Sequence, residues 1–138
     1  MKNMNKLIGN HGEDIAANYY LNNGYTTLDR NFLIKKGELD LIVKKDDVIV
    51  FVEVKSRSNN SFGTPCESVT FSKQKNIKYL SKYYLTIHNL YNYYVRYDVA
   101  EIYFNYYDNS YKLNIISDAF IWGIFISSSH IRSTYWTF

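Results

Sequence analysis

The chain has 138 residues, of which 46% are hydrophobic. This length suits one compact domain with a single core and leaves no room for a second domain of ordinary size. Its 16 Lys and Arg against 13 Asp and Glu give a net charge of +3, which by itself is too weak to indicate a nucleic-acid partner. Cys66 is the only cysteine, which excludes a disulfide framework and a cysteine-based zinc site.

Neither a secretory signal nor a membrane span is predicted. Polar residues, rather than an apolar stretch, follow Lys2 and Lys6. The apolar stretch 119–126 is far shorter than the roughly 20 residues that a spanning helix needs. We therefore expect a cytoplasmic protein with no membrane partner.

The first predicted element is a helix over residues 6–23, ended by Gly24. Glu13 lies off its apolar stripe, and the small side chains of Ala16 and Ala17 leave room for close approach to it. A solvated glutamate near the positive end of a helix is the alternative interpretation. The predicted stripe consists of Ile8, Ile15 and Tyr19.

Three strands are predicted next, over residues 25–32, 38–43 and 48–52. A turn at 35–37 separates the first two, and the short polar connection 44–47 makes the second and third an antiparallel hairpin. Alternation of side chains predicts two faces for the second strand. One face carries Glu38, Asp40 and Ile42, and the other carries Leu39, Leu41 and Val43.

Glu53 and Lys55 follow the apolar run of the third strand and point to one face, so the hairpin would place Asp40 beside Glu53. Two neighbouring carboxylates repel unless a cation lies between them, and Mg²⁺ or Mn²⁺ prefers such oxygen ligands. A metal held there would activate water for hydrolysis of a phosphodiester, while Lys55 either orients that water or stabilises the transition state. An ion pair at the solvent end of a strand is the alternative.

The polar stretch 57–65 is predicted as a loop, either closing over a substrate or inert. A helix follows over residues 68–89. Near its N-terminus Lys73 either reaches towards Lys55 and a bound phosphate or extends past the core into water. The predicted apolar stripe of this helix consists of Ile77, Leu80, Tyr84 and Ile87.

On the opposite face of this helix Lys75, Lys78 and Lys82 form a basic ridge, which is either a solvated face or a surface that follows phosphates. Together with Arg57 and Lys73 they are the candidate nucleic-acid contacts.

Two more strands are predicted over residues 93–104 and 111–116. Arg96 and Asp98 share a face of the first, and we interpret their pairing as structural. The apolar segment 120–138 shows no clear period, so an oligomer contact, a cover for the sheet and an extension of the chain all stay open.

Several short motifs in this order resemble the bacterial YraN-like family over about residues 5–119. That family resembles Holliday-junction resolvases of the PD-(D/E)xK nuclease superfamily, which implies an α/β fold with a single mixed sheet flanked by helices. We therefore predict a nuclease-like domain at 1–119 and an extension at 120–138. The motifs are Gly12-Glu13 with Ala16, Gly24-Tyr25, Arg30-Asn31, Gly37 to Ile42, Phe51 to Arg57, Phe62-Gly63 with Pro65, Lys73, and Arg96 to Val99.

The resemblance implies a role for each matching residue. Asp40, Glu53 and the carbonyl of Val54 are the implied metal ligands, Lys55 is the implied catalytic lysine, and Glu13 is the implied acid from the first helix. Leu39 stands where the superfamily has a proline before the first acid, and this change removes no ligand.

The function hypothesis is a Mg²⁺- or Mn²⁺-dependent endonuclease acting on DNA, with branched DNA among its substrates. DNA is favoured over RNA by the resemblance alone, so an RNA-processing enzyme that uses the same site stays open. A homodimer is expected by analogy with resolvases, which cut two strands symmetrically. The alternative is a non-catalytic nucleic-acid-binding or scaffold protein that retains the nuclease fold.

Overall fold

The computed structural model of the protein describes residues 2–58, 69–105, 107–120 and 132–137, with side chains over 11–58, 69–105 and 107–120. Within these residues six strands form one sheet in sequence order, in which β3 and β4 are parallel and the other neighbours are antiparallel. The predicted α/β fold with a single mixed sheet flanked by helices is confirmed. The elements are α1 (Lys2–Asn22), β1 (Thr26–Ile34), β2 (Gly37–Lys45), β3 (Val48–Ser58), α2 (Phe71–Ile87), β4 (Tyr94–Phe104), β5 (Tyr111–Ser117) and β6 (Arg132–Thr137).

Each helix packs in a different hydrophobic cluster of the sheet. The cluster on the α1 side contains Ile15, Ala16 and Tyr20, and the cluster on the α2 side contains Ile77, Leu80 and Tyr84. Because apolar side chains are needed on both faces, the central strand β3 begins with the continuous apolar run 48–52.

Both helices depart from their predicted stripes. In α1, Ala16 and Tyr20 are buried although the prediction placed them outside the stripe; Ile8 lies outside the described side chains. In α2, the prediction that Ile87 belongs to the apolar stripe is wrong, because this side chain is 48% exposed. Ile87 is the last residue of the helix. Ser81 is buried instead, because its hydroxyl is satisfied by a hydrogen bond with Tyr97 (2.6 Å).

The predicted hairpin of β2 and β3 is confirmed, but the alternation in β2 fails at Leu39. The two strands pair from Lys45 opposite Val48 to Leu41 opposite Val52, and no further pair follows. Leu39 packs in the cluster on the α2 side, whereas Leu41 and Val43 pack on the α1 side. The simple period is lost because β2 separates from β3 at Asp40.

The third strand is longer than predicted. It pairs with β4 in unbroken parallel register from Val48 opposite Tyr94 to Ser58 opposite Phe104. The prediction that the strand ends near Lys55 and that Arg57 begins a loop is therefore wrong, because β4 supplies backbone partners after β2 has separated. Residues 59–65 of the predicted loop lie outside the described residues.

The strands predicted over 93–104 and 111–116 agree with β4 and β5 within one residue at each end. In the segment 120–138, Phe120 is buried in the core and Arg132–Thr137 pairs with β5 as β6. The division at 119/120 stays a prediction. No helix in the described part of the chain is long and apolar enough to cross a membrane.

Candidate metal and catalytic site

The candidate site lies where β2 separates from β3. In place of the next pair of the hairpin, Asp40 turns its carboxyl to the backbone of β3, and its Oδ2 accepts a hydrogen bond of 2.9 Å from the amide of Val54. The carboxyls of Asp40 and Glu53 lie near enough that each acts on the pKa of the other. The structure thus brings together the two acids that the hairpin predicted to be neighbours.

Burial and the neighbouring acid shift both carboxyls towards protonation. Burial, followed by the charge of Glu53, raises the pKa of Asp40 to about 7, against the opposing effects of the Val54 amide and Lys73. Burial also raises the pKa of Glu53, while Lys73 and then the side chain of Asp40 act to lower it. Two adjacent carboxylates are costly to ionise together, so a proton or another cation belongs between them.

Two lysines act on this acidic pair from different elements. The Nζ of Lys73, in the first turn of α2, lies 3.7 Å from Oε1 of Glu53. The side chain of Lys73 is 44% exposed and that of Glu53 only 12%, so the lysine reaches from water to a nearly buried acid. Lys55 lies two residues after Glu53 on β3 and also lowers the pKa of that carboxyl. Of the two interpretations of Lys73, the one that directs it to the site agrees with this geometry.

Glu13 approaches the pair from the other helix. Burial is the main cause that raises the pKa of its carboxyl, with the charge of Asp40 adding to it. The side chain of Asn31 acts in the opposite direction and lowers the pKa of this carboxyl; its backbone is left-handed (φ 53°), a conformation that asparagine tolerates. Glu13 is therefore half-buried beside Asp40 rather than fully solvated.

Gly12 allows α1 to approach this close to β3. A Cβ on Gly12 would overlap Oγ of Ser56 and would lie 3.3 Å from Cβ of Ser56. Since Glu13 is the next residue of the helix, the contact between Gly12 and Ser56 sets its distance from the sheet.

The arrangement of oxygen atoms fits a hard divalent cation. The backbone N–H and C=O of one residue in an extended strand point to the same side, so the carbonyl of Val54 faces the side of Asp40. No group of three or more His, Cys, Asp or Glu side chains suited to a metal occurs among the described residues. A metal would thus have the two carboxyls, this carbonyl and water as its ligands, a mixture that Mg²⁺ accepts because it retains several waters.

The other predicted nucleic-acid contacts differ in how far they are exposed. Arg57 is half-buried in β3, and Lys78 is half-buried on α2. Lys75 and Lys82 are exposed on the same helix. Only Lys73 of this predicted set forms an ion pair with the acidic pair within the described residues.

Sequence reasoning did not assign a role to several residues at or near the site. Asn31 belongs to a motif that pointed to the family, but its contact with Glu13 depends on a left-handed backbone that no periodic pattern predicts. Glu101 is only 6% exposed and stands opposite Lys55 in the register of β3 and β4. A charged residue inside an apolar strand is the signal that could have identified it.

The mixed sheet with one helix on each side, and the acids of its central hairpin, are compatible with a restriction-endonuclease-like core. The chain belongs to the uncharacterised protein family UPF0102, whose model matches residues 12–102, and the YraN-like resemblance is thereby confirmed.

The chain is similar to proteins from several clostridia over nearly the whole length of those proteins. A UPF0102 protein of Clostridium perfringens (strain 13 / Type A) is 52% identical over 120 residues, which cover 87% of this chain and 98% of that protein. A UPF0102 protein of Clostridium tetani is 48% identical with the same coverage. One of Clostridium novyi is 43% identical over 87% of this chain and 100% of its own length.

Proposed function

We propose that the protein is a Mg²⁺- or Mn²⁺-dependent endonuclease that hydrolyses phosphodiester bonds in DNA, with branched DNA among its candidate substrates. The observation that carries the proposal is the pair of neighbouring, largely buried carboxyls of Asp40 and Glu53, of which one accepts from the Val54 amide and the other pairs with Lys73. Two buried acids so close together are suited to hold a cation between them. The metal would supply polarisation of the phosphate and a water of lowered pKa.

Each residue of the site has a distinct part in the proposed reaction. Asp40 and Glu53 hold the cation, and the carbonyl of Val54 completes the protein ligands. Lys55 stabilises the charge that develops on the phosphoryl oxygens. Glu13 adds negative charge behind Asp40 and strengthens its hold on the cation.

The proposal is tested by one cleavage panel with purified protein. Linear duplex, single-stranded and four-way DNA, and RNA, are incubated with Mg²⁺ or Mn²⁺. Wild type is expected to cut DNA, Glu53→Gln to lose cleavage, and Lys55→Ala to lose roughly 10²–10³-fold in kcat. Lys35→Ala is the control, because Lys35 is exposed on the turn between β1 and β2. Absence of cleavage of every nucleic acid by wild type would contradict the proposal.

A second candidate function is a non-catalytic nucleic-acid-binding or scaffold protein. The observation in its favour is that Lys73 already pairs with Glu53 and so compensates part of the charge of the acidic pair without a metal. DNA binding that weakens with salt and is unchanged in Asp40→Ala would support it, provided that wild type shows no cleavage.

A further inference from the structure

A basic cleft of about 510 Å³ opens along the first turns of α2. Its lining includes three lysines, Lys36, Lys73 and Lys75, together with Asn76 and Tyr79. None of the residues lining it is acidic, as far as the described part of the chain extends. Lys36 comes from the turn between β1 and β2, so two separate elements build the cleft.

The wall that carries Lys36 is fixed against the helix. The side-chain amide of Asn76 donates a hydrogen bond of 3.3 Å to the carbonyl of Lys36. The Nζ of Lys36 lies 4.4 Å from the centre of the Tyr79 ring, a cation–π contact. A Cβ on Gly37 would lie 2.8 Å from Nδ2 of Asn76, so the glycine permits this close docking. Lys36 is thus held over the cleft by two contacts.

Two of the three lysines of the cleft have no ion pair in the described part of the chain. These are Lys36 and Lys75, whereas Lys73 pairs with Glu53. Three ammonium groups around one cleft repel each other, and an anion with several charges would relieve this repulsion. Lys73 belongs to both sites and therefore makes the cleft continuous with the acidic pair.

We propose that this cleft binds consecutive phosphates of the DNA strand that adjoins the scissile bond, an inference that rests on the proposed function. A nucleic-acid strand carries one negative charge per nucleotide, which matches lysines arranged along a groove better than a single small anion does. Lys73 faces the phosphate nearest the acidic pair, and Lys36 and Lys75 face those farther along the strand. Lys78 and Lys82 are not among the lining residues.

The test measures binding separately from cleavage. Fluorescence anisotropy with a labelled single-stranded DNA, in the absence of divalent metal, gives the binding constant over a range of salt concentrations. The slope of log K against log salt is negative, and each phosphate contact that is lost reduces its magnitude by about 0.7. Lys36→Gln and Lys75→Gln are each expected to reduce the magnitude of the slope by this amount. Lys35→Gln, the exposed neighbour of Lys36 that does not line the cleft, is the matched control.

The outcomes distinguish this inference from the proposed function. Slopes equal to that of wild type in both Lys36→Gln and Lys75→Gln, or an equal loss in Lys35→Gln, would overturn the cleft whether or not the protein cleaves DNA. Slopes of reduced magnitude in the two cleft variants support it even if no cleavage is found. An RNA of the same sequence is the second probe: slope losses seen with RNA but not with DNA would overturn the assignment to DNA. Melting curves of all variants check that the fold is intact.

Discussion

The carboxyl of Asp40 has two neighbours that act on its protonation in opposite directions. Its Oδ2 accepts from the amide of Val54, which favours the anion, whereas the charge of Glu53 favours the protonated form. Burial of both groups gives the proton its stability, because water is not available to solvate two anions. A divalent cation would satisfy the same oxygen atoms, so proton and metal compete for one place.

We expect the metal-free protein to lose stability as pH rises. The pKa of Asp40 is raised to about 7 in the folded state, so its contribution is fully present below the unfolded pKa, near 4, and is lost as pH rises through 7. Melting temperature measured against pH should fall over this window. Asp40→Asn should flatten the fall, since an asparagine can still accept from the amide of Val54 and does not titrate. Mg²⁺ should raise the melting temperature of wild type more at about pH 8 than at about pH 5.

An unchanged pH dependence in Asp40→Asn would show that other groups cause the loss of stability. Asp108→Asn is a suitable control. Its carboxyl is exposed, and its pKa is lowered by hydrogen bonds from Ser110, so its effect on stability runs in the opposite direction, with a loss only as pH falls.

At the scale of elements, two helices on opposite sides of the sheet supply side chains to one site. α1 brings Glu13 because Gly12 allows close contact with β3, and α2 brings Lys73 because Thr70 caps the helix just before its first turn. The strands supply the acids at the end of the shared hairpin. The geometry of the site therefore depends on how each helix packs on the sheet.

The packing of α1 against β3 is tested by Gly12→Ala. The added methyl meets Ser56, so the free energy of unfolding should fall by about 1–3 kcal/mol, although alanine by itself favours a helix by up to about 1 kcal/mol. Ser56→Ala removes a buried hydroxyl that has no hydrogen-bond partner in the described residues and should be nearly neutral. In that background Gly12→Ala should cost less than about 1 kcal/mol by urea unfolding. Equal costs in the two backgrounds would exclude the contact as the cause.

The N-terminal cap of α2 is tested by Thr70→Ala. Thr70 is the N-cap residue, and its Oγ1 accepts a hydrogen bond of 3.1 Å from the amide of Lys73. Its loss should lower the free energy of unfolding by about 1 kcal/mol and loosen the turn that directs Lys73 to Glu53. Thr70→Ser should restore most of the stability in the same urea titration. A serine variant no more stable than the alanine variant would contradict the capping role.

At the scale of the whole molecule, a buried carboxylate connects distant parts of the chain. Asp98 is fully buried on β4 and receives hydrogen bonds from Tyr20 of α1 (2.7 Å), from Arg96 (2.8 and 2.9 Å) and from the amide of Asp118 beyond β5. Arg96 also donates to the hydroxyl of Tyr25 (3.0 Å). The structural interpretation of the pair of Arg96 and Asp98 agrees with this network, which holds the helix, the sheet and the end of β5 together.

Removal of the arginine should destabilise the entire fold. Arg96→Leu leaves the carboxylate of Asp98 buried without its charged partner, which should cost about 3 kcal/mol, at the lower end for such pairs because the Arg96 side chain is 28% exposed. A single cooperative transition at a lower denaturant midpoint is expected in urea. Arg30→Leu is the matched control: its ion pair with Asp14 is 2.7 Å long but exposed, so it should change stability by less than about 1 kcal/mol. Equal losses in the two variants would contradict the role of the network.

Local sequence patterns, above all the spacing of apolar residues, determined much of the fold and part of the candidate site. The hairpin, the strands β4 and β5, the helix faces around Ile77 and Leu80, and the nearness of Asp40 to Glu53 all follow from contacts between residues close in the chain, which local patterns record. The family could also be recognised from short motifs in order.

Only the tertiary structure decided the features that depend on contacts between residues far apart in the sequence. The extension of β3 to Ser58 needs β4 as its neighbour, and the position of Leu39 depends on where β2 separates from β3. The ion pair of Lys73 with Glu53 and the cleft beside Lys36 need α2 to pack on the sheet. Such contacts join residues far apart in sequence, so their geometry is set by packing of the whole core and not by any local period.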